Sequence, residues 1–544
     1  MMPIFFNFAS HVWLLYFLFF NGLLCTYLIC QRSAGFRKLI IRLEDKVLAA
    51  FCFSVGVNGF LGLIFVLLEL RFSFLVACFG IVSTSLVVGT IFMRDGLTDF
   101  FRLSWDWRVL VYLFVGVVAF YNGALIEQIS DAWWHMSKAN AIATNELIWG
   151  QVHLNGVTNR WYPPLWHTNL AIVHRLSGQS LPVLWNSATL WLSVTKVMAY
   201  YSLAFALTRA KSVAFLAIIL FLLLPGMGVS YLRVSAWPSH VAYLMMFFAL
   251  GLCFRILDAA PGNIKGLRSE LTHLFKEQYI LIAFLLFVLT LMFFTHQLEV
   301  LWFAVAVSLY SIAASCWTQC TRSLRRERLG SLTRLFAIIF LIAVSGMSFR
   351  LLTVDMSMAS DNIDRAIAHM YFVIVPLVLL ATAYITKAKY KLLCYAACAV
   401  PLVISIDLQH CLALFNPQFS LPKPAYHEMP LLTRGWFGGD LRLPDWDLQL
   451  RGALLWSGIV ALPLIVFQQI QTPTRENLFL AVTGAAALGI CVSPYAYQWL
   501  SDVTGYHSPW RIVTLLFTPL IFSLTIHRAF YGAFFSAPRS WRVQ

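Results

Sequence analysis

Apolar runs of roughly twenty residues recur along the whole chain, and they limit its fold more than any other feature. A bilayer interior offers no water to peptide N–H and C=O groups, so segments of this length close their hydrogen bonds internally as helices. About fifteen such spans are predicted. Their centres lie near residues 19, 58, 82, 117, 194, 219, 246, 287, 308, 343, 377, 401, 460, 487 and 519. Composition agrees: of 544 residues, 60% are hydrophobic and 12% are charged. A soluble domain carries about twice that charge. Mean hydropathy is +0.76. The expected fold class is an all-α polytopic membrane protein.

Charge then sets orientation. Most of the Lys and Arg fall in alternate connections: Arg32 to Lys46, Arg94 to Arg108, Arg209 and Lys211, Arg255 to Lys276, Arg322 to Arg334, Lys387 to Lys391, Arg475, and Arg528 to Arg542. The remaining connections are close to neutral. Basic loops stay in the cytoplasm, which predicts a periplasmic N-terminus and a cytoplasmic C-terminus. The net charge of +15 therefore reports orientation. No basic stripe interleaved with stacking aromatics is present, so nucleic acid is not an expected partner. The first apolar segment lacks a basic leader and reads as a retained span. The 11 cysteines form no C-x-x-C motif. Cys316/Cys320 and Cys394/Cys398 read as packing pairs on helices. The sequence has no N-x-S/T site, which is compatible with a bacterial inner membrane.

Three outward segments are long enough to hold function: about 127–180, 353–368 and 412–450. The chain is expected to divide into a leading module, residues 1–107 with about three spans, and a core, residues 108–544. No internal repeat is visible, which disfavours a transporter built from duplicated halves.

The first long segment carries the densest signal. Glu127, Asp131, His135 and Lys138 share one face if the segment is helical. Trp133 and Trp134 suit a helix lying in the headgroup layer. Taken alone, an interfacial helix with a polar upper face explains these residues equally well. Arg160-Trp-Tyr162-Pro163-Pro164-Leu-Trp-His167 follows. Its paired prolines fix the backbone ahead of the next helix and aim Tyr162 and His167.

Together these residues form a D-x-x-x-H…Y-P-P-x-x-H pattern: Asp131, His135, Tyr162, Pro163, Pro164 and His167. The pattern resembles the GT-C superfamily of membrane glycosyltransferases, which includes protein O-mannosyltransferases, lipid A aminoarabinose transferases and bacterial arabinofuranosyltransferases. The resemblance implies a GT-C-like bundle of about 13–15 transmembrane helices, with short membrane-parallel helices in the first large periplasmic loop. It implies a polyprenyl-phosphate-linked sugar as donor and a glycan, lipid or protein hydroxyl as acceptor. It also implies inversion at the anomeric carbon. Asp131 is the expected general base, because a hydroxyl needs its proton removed as it attacks. The chain departs from the family in two ways: the loop follows about the fourth span rather than the first, and Asp131 is followed by alanine rather than a second acid.

The phosphate leaving group calls for cations. Arg511, in Tyr506-His507-Ser-Pro-Trp510-Arg511, presents a planar fork suited to phosphate; an anchor on lipid headgroups explains it equally well. Arg233 is a second candidate under the same reading. Lys196 lies within a span, where a charge is functional by default unless it snorkels or pairs internally. His296, in Thr295-His296-Gln-Leu-Glu299, is expected to contact the donor or cap a helix. The expected substrate-binding set is His135, Tyr162, His167, Arg233, His296 and Arg511. No cofactor is expected, and ligand spacing does not support a divalent metal. The alternatives are a flippase for a lipid-linked glycan, or a glycan polymerase or O-antigen-type ligase. The ligase reading would use Arg434, Arg442 and Arg451 in the last long outward segment.

Overall fold

A computed structural model describes residues 8–70, 72–101, 107–125, 130–144, 163–223, 235–259, 267–320, 431–434, 440–442, 462, 465–466, 468–469, 473–492 and 509–534. The described residues are helical apart from one short hairpin. The predicted spans centred near 343, 377, 401 and 460 lie outside them, as do the segment 353–368 and most of 412–450.

The chain forms two compact units. The first comprises Met1–Leu222, Gly228–Ala260 and Leu271–Val300, and the second comprises the remainder. In the first unit the leading spans appear where the apolar runs predict. Helix α1 covers Phe8–Arg32 with one π-helical turn at Tyr16–Phe20. Short α2 (Ala34–Leu39) leads to α3 (Leu43–Leu67) and α4 (Phe72–Phe92). Short α5 (Leu97–Phe101) leads to α6 (Trp107–Leu125). Next come α7 (Ser130–Ala143), α8 (Leu165–Ser177), α9 (Leu181–Thr208) and α10 (Lys211–Leu223). Helices α11 (Pro238–Ala259) and α12 (Leu267–Thr295) follow.

Among the described residues, five helices are long and apolar enough to cross a membrane: α1, α3, α4, α9 and α11. The chain is an integral membrane protein. Phe74, Ile81, Ile91 and Phe92 on α4 are exposed on the first unit, a composition that suits contact with lipid tails.

Helix α9 is central. It packs along α11, α6 and α3, while α3 also packs on α1 and α8. Pro182 falls in the first turn of α9, where the missing N–H removes no helical hydrogen bond. Helix α8 ends at Gly178, whose φ of 67° is the left-handed conformation that glycine adopts without a Cβ clash.

Two glycines on α3 set the distance to α8. A Cβ on Gly59 would lie 2.4 Å from Leu165 Cδ1, and one on Gly62 would lie 2.4 Å from Ile172 Cδ1. The bare backbone also lets Asn169 Nδ2 donate to the Val55 carbonyl at 3.1 Å.

One end of the first unit is held by opposite charges. Arg255 donates to Asp45 Oδ1 at 2.6 Å, and Ser202 Oγ donates to the same oxygen at 2.8 Å. Arg108 and the Tyr112 hydroxyl meet Glu44 Oε1 at 3.0 and 2.8 Å. Arg209 pairs with Asp258. These contacts join the starts of α3 and α6 to the ends of α9 and α11.

In the second unit, α13 (Leu298–Cys320, within this unit from Leu301) meets α14 (Arg475–Val492) through Tyr310 and Phe479, edge to face at 5.8 Å. A 3-10 helix at Pro509–Leu516 packs on α14 and leads into α15 (Thr518–Phe534). Arg528 of α15 donates to Gln468 and Asn477 at 2.7 and 2.8 Å. Strands β1 (Leu431–Arg434) and β2 (Asp440–Arg442) pair antiparallel.

Candidate active site

The D-x-x-x-H and P-P-x-x-H segments fall on two packed helices, α7 and α8. Each has fewer than the roughly twenty residues needed to cross a bilayer. Asp131 is the second residue of α7, one turn ahead of His135. Pro164 is the residue before α8, so the proline pair sets the entry of that helix, and His167 lies in its first turn.

His135 Nδ1 and His167 Nε2 are 2.9 Å apart and buried. One ring donates and the other accepts, so the accepting ring is neutral. The indole of Trp185 stacks on His135, with centroids 5.9 Å apart and planes 13° apart. Trp134 meets His167 edge-on at 6.1 Å, and Trp237 meets His135 at 6.5 Å. Trp166 Nε1 donates to the Ala236 carbonyl at 2.8 Å and so ties α8 to the residues entering α11. The pair therefore sits in an aromatic cage drawn from α7, α8, α9 and the approach to α11.

The polar face of α7 turns inward. Lys138 is fully buried, with Nζ 5.9 Å from the Trp134 ring, while Trp133 is 52% exposed. His135 and Lys138 thus face the interior rather than an exposed upper face of α7. Burial lowers the Lys138 pKa to about 7. Burial also holds His167 well below its ordinary value, reinforced by the charges of His135, Lys138 and His296 and opposed by a hydrogen bond from the ring to the Pro163 backbone carbonyl. The interior thus favours uncharged bases.

His296 joins this end of the unit. It follows α12 and its Nδ1 bonds the Glu299 carboxylate, which is fully buried. Lys196, within span α9, is buried and meets His240 Nδ1 at 3.3 Å. That contact supplies an internal pair through an imidazole, where sequence reasoning considers an acid.

The other expected residues divide as follows. Tyr162 and Arg233 lie outside the described residues, as does Arg451. Arg511 belongs to the second unit, half-buried in the 3-10 helix, where its carbonyl accepts from Thr514 Oγ1 at 2.8 Å. Arg434 and Arg442 sit on the two strands of the hairpin, with Arg434 opposite Asp440. Among the described residues, no three His, Cys, Asp or Glu side chains assemble as a metal-ligand set.

Trp185 and His240 carry no sequence motif. Their place at the site comes from packing along α9 and α11. A polar or aromatic residue near the end of a span is the one available signal, and it is weak because such residues also anchor spans at the interface.

No protein-family profile and no curated protein matches the sequence. The fold does have a solved counterpart. The archaeal oligosaccharyltransferase AglB from Archaeoglobus fulgidus, in complex with an inhibitory peptide and a dolichol-phosphate, superposes with a TM-score of 0.50 at 12% identity. The match covers 80% of this chain and 53% of that chain. The apo form of the Archaeoglobus fulgidus oligosaccharyltransferase gives a TM-score of 0.49 at 12% identity, covering 78% of this chain and 52% of that chain. The AglB match shows a shared helical fold, and the all-α membrane architecture agrees with the fold class that the sequence predicts.

Proposed function

We propose that this chain is a glycosyltransferase. It moves a sugar from a polyprenyl-phosphate-linked donor to a hydroxyl of a glycolipid, polysaccharide or protein. The transfer takes place at the periplasmic face of a bacterial inner membrane, with the N-terminus outside and the C-terminus in the cytoplasm. Residues 108–544 form the transferase core and residues 1–107 a leading module. The observation that carries the reading is the 2.9 Å contact between His135 and His167. It joins two widely spaced halves of one sequence pattern in a fold shared with an oligosaccharyltransferase.

Asp131 is assigned as general base and takes the acceptor proton while the anomeric carbon is attacked. His135, Tyr162, His167 and His296 are assigned to substrate. Arg233 and Arg511 are assigned to the phosphate, where guanidinium forks match its oxygens. The lipid-linked sugar is a substrate, and no resident cofactor is assigned. The dolichol-phosphate held by AglB beside an inhibitory peptide supports a lipid-phosphate site in this shared fold.

The test is Asp131→Asn in cells, compared with wild type and a deletion at matched expression. The expected outcome is loss of one sugar from surface glycans by mass spectrometry. In purified protein the expected fall in turnover is about 10²- to 10⁴-fold, the usual contribution of a general base. A full glycan in the variant, beside a clear loss in the deletion, would overturn the assignment of Asp131. A glycan that accumulates untransported in the deletion, with no transfer by the purified protein, would favour a flippase.

A further inference from the structure

The turn between α12 and α13 buries more hydrogen-bonding capacity than the protein uses. Thr295 and Glu299 are fully buried, and Gln297 is 4% exposed. Among the described residues, Thr295 Oγ1, both polar atoms of Gln297 and Glu299 Oε1 meet no hydrogen-bond partner. Folded proteins rarely bury four such atoms together, because each loses water without replacement. Glu299 is nevertheless held in place: its second oxygen bonds His296 Nδ1. The same His296 is close enough to His167 for its charge to act on that ring. His296 and these polar atoms belong to the same unit as the imidazole pair.

Their chemistry selects a ligand class. A carboxylate oxygen accepts, a primary amide donates and accepts, and a hydroxyl does both. Such a set matches adjacent hydroxyls of a neutral sugar, which donate to the carboxylate while accepting from the amide. It matches a phosphate poorly, since Glu299 would repel it.

We propose that Thr295, Gln297 and Glu299 form a carbohydrate-hydroxyl subsite that reads the hydroxyl pattern of the transferred sugar. The proposal rests on the glycosyltransferase reading and adds to it the residues that set sugar specificity.

The full-length protein in nanodiscs tests it. The probes are polyprenyl phosphates carrying mannose, glucose or arabinofuranose, each beside its deoxy analogues, with binding as the readout. Wild type is expected to prefer one sugar and to reject one of its deoxy analogues by at least about ten-fold, as sites built to bond a hydroxyl do. Gln297→Leu and Glu299→Gln are expected to erase that discrimination. Gln297→Glu, which conserves volume, is expected to change which deoxy position matters. Discrimination is a ratio measured on folded protein alone, so partial misfolding does not imitate the result. Unchanged ratios in all three variants, with tight binding in wild type, would overturn the subsite and leave the glycosyltransferase reading standing. Failure of wild type to bind any of the lipids would count against both. An arm with Mg²⁺ or Mn²⁺ alone completes the test. Stabilisation of wild type but not of Glu299→Gln by the cation would make the cluster a metal site and overturn the proposal.

Discussion

The two ends of α9 and α11 solve the burial of polar groups in opposite ways. At one end, Asp45, Arg255, Glu44 and Arg108 form ion pairs between helices. At the other end, His135, His167, Lys138 and His240 are buried bases whose contacts include rings and other bases. Ion pairs tie helices together and hold their charge. Buried bases can change protonation with small changes in surroundings and can exchange partners when a ligand enters. The charged end is therefore the structural anchor, and the proposed chemistry is assigned to the basic end.

The largest expected effect breaks the anchor. Asp45→Ala leaves Arg255 buried without its carboxylate, and such losses cost about 3–5 kcal/mol. Thermal unfolding in detergent should show the loss, and Asp45→Leu combined with Arg255→Met should recover much of it. If Asp45→Ala unfolds like wild type, the ion pair is not the anchor.

Next comes the helix spacing that serves the basic end. Gly59→Ala places a Cβ 2.4 Å from Leu165 Cδ1 and 2.6 Å from Asn169 Nδ2, so these two side chains of α8, or the helix itself, must shift. Overpacking of this kind costs about 1–3 kcal/mol. Sugar transfer should fall further than stability, because His167 lies on α8. Equal losses in both would argue that α8 is only a packing element.

A smaller effect comes from pH. Burial holds His167 well below its ordinary value of 6.5, so below that pH the unfolded chain binds more protons than the folded protein. The stability of the neutral ring is complete above 6.5 and is lost as pH falls toward the depressed folded value. Lys138, with its ordinary 10.5 lowered to about 7, adds the same sign between those two values. The melting temperature should therefore drop on acidification from neutral pH, and His167→Asn should flatten the slope. A wild-type profile that is flat across this range would contradict the buried neutral ring. The smallest expected effect is Trp133→Ala, on the exposed face of α7, within about 0.5 kcal/mol in detergent.

Much of this plan is legible in the chain. Apolar runs near residues 19, 58 and 82 become α1, α3 and α4, because an apolar run of that length satisfies its own backbone in lipid as a helix. The proline pair marks the start of α8, since proline sets the backbone ahead of a helix. The inward turn of α7 is not legible. Its tryptophans and its polar residues each suit an interface, and no local pattern says which face will be covered. The Asp45–Arg255 pair is equally silent, because its members lie 210 positions apart and each reads as an ordinary cytoplasmic charge.

The sequence by itself determined a helical membrane protein, the positions of its leading spans and the two short helices that carry the histidines. Those properties follow from local hydropathy and backbone chemistry. Only the tertiary structure decided that His135 and His167 meet, that Trp185 stacks on His135, and that the Thr295–Glu299 turn is buried. Such contacts depend on how closely helices approach, and here Gly59 and Gly62 allow α8 to close on α3.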